Sequence, residues 1–184
     1  MNKVIITIGC SGSGKTTFCQ KKYPDYKNLC MDDIRKELTG NISDQSKNEE
    51  VFKTLCNRIV ESVKDKSDIC ITNTNLGGPK GLKFIAERLS KNSEVTLLFF
   101  EDSLNWELCQ KRVEADISNG VERSDTTGNR ESGIPIIKEM SEKYTQMSKL
   151  SKEHKEDFEK VFKRCKSCDI QYVIDISDAR VCYL

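Results

Sequence analysis

Residues 9–17 read GCSGSGKTT and follow directly on the apolar run VIITI. Gly9-Cys10-Ser11-Gly12-Ser13-Gly14-Lys15-Thr16 fits G-x-x-x-x-G-K-[ST] in full, with a strand pattern before it and a helix pattern after it. The chemistry this pattern supports is the binding of phosphate. Glycines let the backbone curl until successive N–H groups point inward at phosphate oxygens. The helix that follows adds unpaired N–H groups and the positive end of its dipole. Lys15 is placed to reach the β- and γ-phosphates, the Thr16 hydroxyl to ligate Mg²⁺, and the Thr17 hydroxyl to touch the α-phosphate. Gly9, Ser11, Gly12, Ser13 and Gly14 complete the nucleotide-binding loop. A glycine- and serine-rich turn without a ligand would not need the whole pattern in this context.

A nucleoside triphosphate is therefore expected here, with hydrolysis or transfer as its fate. No NKxD run for reading guanine occurs. The third strand ends in Ile71-Thr72-Asn73, without the carboxylate that motor and helicase domains carry there. A small ATP-dependent kinase fits better. Its acceptor would sit by the second strand, which ends NLCMDDIRKEL. An acceptor hydroxyl needs a base that orients it and takes its proton late in the transfer. With a helix starting near Asp33, Asp32 stands at its mouth, Arg35 lies one turn on, and both can face one cavity. Asp33 is expected to be the helix N-cap.

The elements that must position these residues alternate. Val4–Ile8 reads as a strand buried on both faces, and a helix starts near Lys15. Lys27–Met31 is a short strand. Val51, Phe52, Leu55, Cys56, Ile59, Val60 and Val63 recur at helical spacing. Asp68–Thr72 is a strand, and Leu82, Ile85, Ala86 and Leu89 form a helical stripe. Glu94–Glu101 is a strong strand, with a helix over Leu104–Ala115. Residues 116–133 (DISNGVERSDTTGNRESG) are polar and aperiodic, hence a loop. Ile134 to about Cys165 reads as helix with a break near Leu150, and Gln171–Ile176 as a last strand. Such alternation predicts a three-layer α/β/α fold with a parallel sheet of about five strands and a lid segment, ligands binding at the carboxyl ends of the strands.

The chain of 184 residues suits one domain, with the lid at about 112–135 and a helix-and-strand part over 136–184. Apolar residues make up 36% and charged ones 32%, as in ordinary globular proteins. The longest apolar stretch, VTLLFF, is too short to span a bilayer, and the N-terminus has no signal-like region. A cytoplasmic protein without membrane contact is expected. Nine cysteines fall mostly at apolar positions, where reduced thiols pack as small hydrophobes. Cys165-x-x-Cys168 has metal-ligand spacing, and His154 and Cys182 would be needed to complete four ligands, but a single pair in a charged helical tail favours packing over zinc. A net charge of +1 does not suit a protein that coats nucleic acid; it permits a narrow pocket for a strand end.

TIGCSGSGKTT, MDDIRKEL and ICITNTNL, at their spacings, resemble the kinase domain of phage-type polynucleotide 5′-hydroxyl kinases over roughly residues 1–150. The resemblance implies ATP as donor, Mg²⁺, and a nucleic acid 5′ end as acceptor. It implies that Asp32 is the general base, and that Arg35 binds the phosphate on the 3′ side of the terminal nucleotide. In the third block the family usually reads DTN; here Asn73 takes the first position, as an acceptor contact that can hydrogen-bond but carries no charge. Gly133-Ile134-Pro135 resembles the Val-Pro that follows the family's lid arginine. That makes Arg130 the lid arginine, with Arg112 second, as a nucleotide contact, and Arg123 a weaker match. Bifunctional members add a phosphatase domain with a DxDG-type motif; this sequence has none, so a lone kinase is expected. A P-loop kinase with another acceptor (a small molecule, a modified base or a nucleotide-sugar), or an ATP-binding module without efficient transfer, stays open.

Overall fold

The computed structural model describes residues 1–72, 79–176 and 180–182. The strands are β1 (Asn2–Ile8), β2 (Lys27–Leu29), β3 (Ile69–Thr72), β4 (Ser93–Phe100), β5 (Ser167–Asp175) and β6 (Arg180–Cys182). The helices are α1 (Lys15–Lys22), α2 (Met31–Thr39), α3 (Asn48–Lys64), α4 (Pro79–Ala86), α5 (Trp106–Ser118), α6 (Ile136–Glu153) and α7 (Lys155–Val161). They build one six-stranded sheet in the order β2-β3-β1-β4-β5-β6. The first five strands of that order are parallel; β6 closes the edge antiparallel to β5.

β1 sits at the centre because its sequence has no polar face to give to solvent. Val4, Ile6 and Ile8 pack with Ile69, Ile71, Val95, Leu97 and Phe99 beneath α2, α3, α4, α6 and α7. Ile5, on the opposite face, packs with Cys70, Leu98, Phe100 and Phe18 of α1. Among the described residues, five helices thus contribute to the first cluster and α1 to the second. A third cluster joins Cys10 of the glycine loop to Cys109 and Val113 of α5 and Ile137 of α6. The chain leaves β1 towards β2 and leaves β4 towards β5, in opposite directions. The crevice at their carboxyl ends is where ligands bind in open α/β sheets.

Several boundaries differ from expectation, each for a local reason. β2 stops at Leu29, and α2 already begins at Met31 with Cys30 at the cap. Asp33 is therefore not the cap; Asp32 and Asp33 both lie in the first turn, where the free N–H groups and the helix dipole favour acids. A 3-10 turn, Glu101–Leu104, intervenes before α5, and Asn105 caps α5 by accepting from the Leu108 amide at 3.0 Å. Pro135 stands at the cap of α6, so the helix starts at Ile136 rather than Ile134. The break in the following helix falls at His154, not Leu150. β5 starts at Ser167, four residues before the apolar run that signalled it, because pairing with β4 extends it through Ser167–Asp169. Cys165 and Cys168 pack against the main core.

Candidate active site

The glycine loop is shaped by what crowds it. Gly12 and Gly14 have φ of 78° and 85°, the left-handed region that side chains rarely enter. A Cβ on Gly12 would stand 2.2 Å from the Cys109 carbonyl oxygen, and one on Gly9 would stand 2.8 Å from Ser103 Oγ. Ser103 also accepts a hydrogen bond from the Cys10 amide at 3.0 Å. The 3-10 turn after β4 and α5 thus form the bed on which the loop lies. Gly12→Ala is expected to destabilise the fold by ~1–3 kcal/mol through its backbone conformation alone, with the carbonyl clash in addition; urea unfolding measures it.

Lys15 is 7% exposed. It donates to the Cys10 carbonyl at 2.6 Å and to Ser13 Oγ at 3.3 Å. Burial holds its pKa below 10.5, with Arg123 adding repulsion. A buried cation held by neutral acceptors and facing a cleft is a seat prepared for an anion. The cost falls on the nucleotide-free protein. A lysine depressed in the fold binds fewer protons there than in the unfolded chain, so stability rises as pH climbs from the lowered value towards 10.5. Lys15→Met is expected to raise the nucleotide-free melting temperature at neutral pH by ~3 °C and to abolish the further rise that ATP gives the native protein. Thermal melts with and without ATP check both.

One cleft of about 520 Å³ brings together Ser11, Gly12, Gly14, Lys15, Thr16 and Thr17 with Asp32, Asp33, Thr72, Arg112 and Arg123, a size suited to a nucleotide-sized ligand. Thr16 and Thr17 are exposed to it. The Thr16 hydroxyl, in the first turn of α1, would be the side-chain ligand for a Mg²⁺ brought in with nucleotide phosphates. Among the described residues, no group of three or more His, Cys, Asp or Glu side chains is arranged to hold a metal by itself.

Across the cleft, Asp32 keeps 42% of its side chain exposed while its Oδ1 accepts from Arg35 Nη1 at 2.5 Å. Arg35 itself is 4% exposed and does not line the cleft. Its Nη1 also donates to the Ile42 carbonyl at 3.2 Å, and its Nη2 to Asn48 Oδ1 at 3.3 Å. The arginine expected to meet an acceptor phosphate stands behind Asp32 and fixes its position. Asp33 lines the same wall, and burial, with Asp32 beside it, raises its pKa above the usual carboxylate value. Thr72 closes the floor and donates to Asn28 Oδ1 at 2.8 Å. Asn73 lies outside the described residues.

The lid arginines are not arranged as the sequence ranked them. Arg130 does not line the cleft. Its Nε donates to Glu139 Oε2 at 2.6 Å on the surface. The reason is a tight turn, closed by an Asn129–Pro135 bridge and by the Arg130 amide on the Ile134 carbonyl at 2.8 Å, which leaves the side chain on the α6 side. Arg123 takes the place beside the glycine loop. It donates from Nη2 to Ser11 Oγ at 3.0 Å, pairs through Nη1 with Asp116, and keeps a buried Nε without a partner. Thr126 also reaches Ser11 Oγ, at 2.9 Å. The same segment is fastened to α2 and the loop after it by Glu122 on Lys36 at 2.5 Å and Ser124 on the Ile42 carbonyl at 3.2 Å. Arg112 lies where expected, at the loop. It pairs with Asp102 at 2.7 Å and its Nη1 stands 3.5 Å from the Gly12 carbonyl. Asp102, Ser103, Asp116 and Glu122 were not among the sequence candidates; no local pattern marks them.

Residues 4–129 match a family described as an AAA domain. Among curated proteins, nothing matches the chain. Among solved structures, a chain of the Pnkp1/Rnl/Hen1 RNA repair complex is similar at a TM-score of 0.61 and 20% identity, over 83% of this chain and 45% of that one. The chain thus spans less than half the length of that relative. The PezAT toxin–antitoxin system of Streptococcus pneumoniae matches at 0.49 and 16% identity, over 99% and 71% of the two chains. Shikimate kinase from Acinetobacter baumannii matches at 0.45 and 17%, over 86% and 79%. These are likenesses of fold.

Proposed function

The chain belongs to this AAA-domain family, and on that premise we propose that it is a kinase that transfers the γ-phosphoryl group of ATP to the 5′-hydroxyl of a polynucleotide. The observation that carries the reading is the convergence of Lys15, Thr16, Asp32 and Arg123 on one cleft. The resemblance of three sequence blocks to polynucleotide 5′-hydroxyl kinases supports the acceptor, as does the RNA repair complex among the similar folds.

The geometry supports the following proposed roles. Lys15 leaves the Cys10 carbonyl for the β- and γ-phosphates. Arg123 turns from Ser11 to the equatorial oxygens of the transferring group, where its unpartnered Nε adds a donor. Asp32, held by Arg35, orients the acceptor hydroxyl. That oxygen forms the new bond to Pγ as the bond to the ADP oxygen breaks, and its proton passes to the Asp32 carboxylate. Mg²⁺, held through Thr16, would neutralise phosphate charge. Among the described residues no helix is long and apolar enough to cross a membrane.

A second reading has its own observation. The cleft is also lined by four carboxylates, Asp32, Asp33, Asp116 and Glu122, of which Asp116 pairs with Arg123 and Glu122 with Lys36, while Arg35 is buried. That lining suits a small neutral alcohol better than a phosphate. The two readings part when γ-labelled ATP is offered with a 5′-hydroxyl oligoribonucleotide, its DNA equivalent and a set of small polyols. Label on the 5′ end supports the first; label on a polyol alone supports the second.

A further inference from the structure

The cleft seats the reacting end of an acceptor and leaves open what would hold the rest of a strand. α3 leads into β3 and α4 follows it, so both helices begin on the side of the sheet where the cleft opens. Their first two turns bring together Phe52 and Phe84. On α4, Leu82, Ile85 and Ala86 turn into the core at 0%, 3% and 6% exposure, whereas Phe84 is 50% exposed. Its ring meets that of Phe52 edge-on, with centroids 6.0 Å apart and planes at 87°. The Arg88 guanidinium lies over one side of the Phe84 ring, 5.8 Å from its centroid, and its Nη1 donates to the Phe84 carbonyl at 2.5 Å, which leaves a base the other side of the ring. Phe52 is one helical turn beyond Asn48 and on the same face. Asn48 accepts from Arg35, and Arg35 holds Asp32. The aromatic pair thus starts one helical turn along α3 from the residue that meets Arg35; neither ring lines the cleft itself, and Phe52 also packs against the main core.

A single exposed apolar residue is ordinary. A phenyl ring backed by a second ring and flanked by a guanidinium is how single-stranded nucleic acid is held without reading its sequence. Exposed Lys53 and Lys83 stand next to the two rings in sequence and offer charge for the backbone; Glu49 and Glu87 keep the patch from being strongly basic. The acidic cleft and this platform divide the work, the first taking the terminal hydroxyl and the second the strand behind it.

We propose that Phe84, backed by Phe52 and flanked by Arg88, is a stacking platform for a base downstream of the 5′ end of a single-stranded acceptor. The inference rests on the polynucleotide reading and narrows it to acceptors longer than one nucleotide. The test compares kcat/KM for a 5′-hydroxyl hexanucleotide and for a nucleoside 3′-monophosphate. Phe84→Ala and Phe84→Leu are expected to lower the hexanucleotide value about tenfold, within the range that loss of one stacked base produces. The loss should lie in KM, with the mononucleotide value unchanged. Phe84→Trp, which restores a π-face, is expected to recover it. Native protein that phosphorylates the hexanucleotide, with equal loss or none in the variants on both acceptors, would overturn the platform. So would unchanged kinetics together with a drop in sedimenting mass for Phe84→Ala, which would give the ring to a second copy of the chain. No transfer to either acceptor by the native protein would remove the polynucleotide reading itself.

Discussion

Asp32→Asn is expected to lower turnover about 10²–10⁴-fold, the share that a positioned base contributes, while ATP binds as before. The separation follows from the two walls of the cleft. In the proposed reaction ATP is held by the glycine loop, Lys15, Thr16 and Arg112, whereas Asp32 stands opposite, in the first turn of α2. Asn is the informative replacement because Arg35 is buried and holds Asp32 Oδ1 at 2.5 Å. Alanine would leave that guanidinium facing a void, a structural penalty of its own. The amide oxygen can still accept from Arg35, but it cannot take a proton from the acceptor. Single-turnover transfer measures the loss, and ATP-dependent thermal shifts measure the retained binding. Equal losses of both would show that Asp32 serves the fold rather than the reaction.

Arg123→Ala is expected to lower turnover about 10²–10³-fold, as removal of a donor aimed at transition-state charge does, with Arg130→Ala leaving it within about twofold, as for an exposed ion pair. Arg123 is poised by three features: a carboxylate partner in Asp116, a contact to Ser11 in the phosphate loop, and an unpartnered buried Nε. A buried donor without an acceptor is costly to the resting protein, and in the proposed reaction an incoming phosphoryl group would supply the acceptor. Arg130, on Glu139 at the surface, has no such debt to settle. Should Arg130→Ala be the damaging change, the lid would have to rearrange on binding nucleotide far enough to exchange the two arginines.

The readable parts of the sequence were those in which chemistry and local structure coincide. GCSGSGKTT fixes its own backbone shape, because left-handed glycines and a following helix start are encoded within nine residues. β1 was readable because five successive apolar or β-branched residues leave no solvent face. The lid was not. Nothing local to VERSDTTGNR separates Arg123 from Arg130; what does is the Asn129–Pro135 bridge, the reach of Glu122 to Lys36, and Glu139 on another helix. The place of Arg35 was half readable. Its spacing from Asp32 is a property of the helix, but its burial depends on Ile42 and Asn48, which the loop after α2 brings over it. The early start of β5 was hidden because Ser167-Cys168-Asp169 shows no apolar run; pairing with β4 extends the strand.

The most direct test of the account is ADP formation from ATP and Mg²⁺, measured with and without a 5′-hydroxyl oligonucleotide. The account predicts that ADP appears in step with the acceptor, one new 5′-phosphate for each ADP, and that Lys15→Met abolishes both. ADP release that ignores the acceptor, or ATP binding with no ADP under either condition, would contradict it.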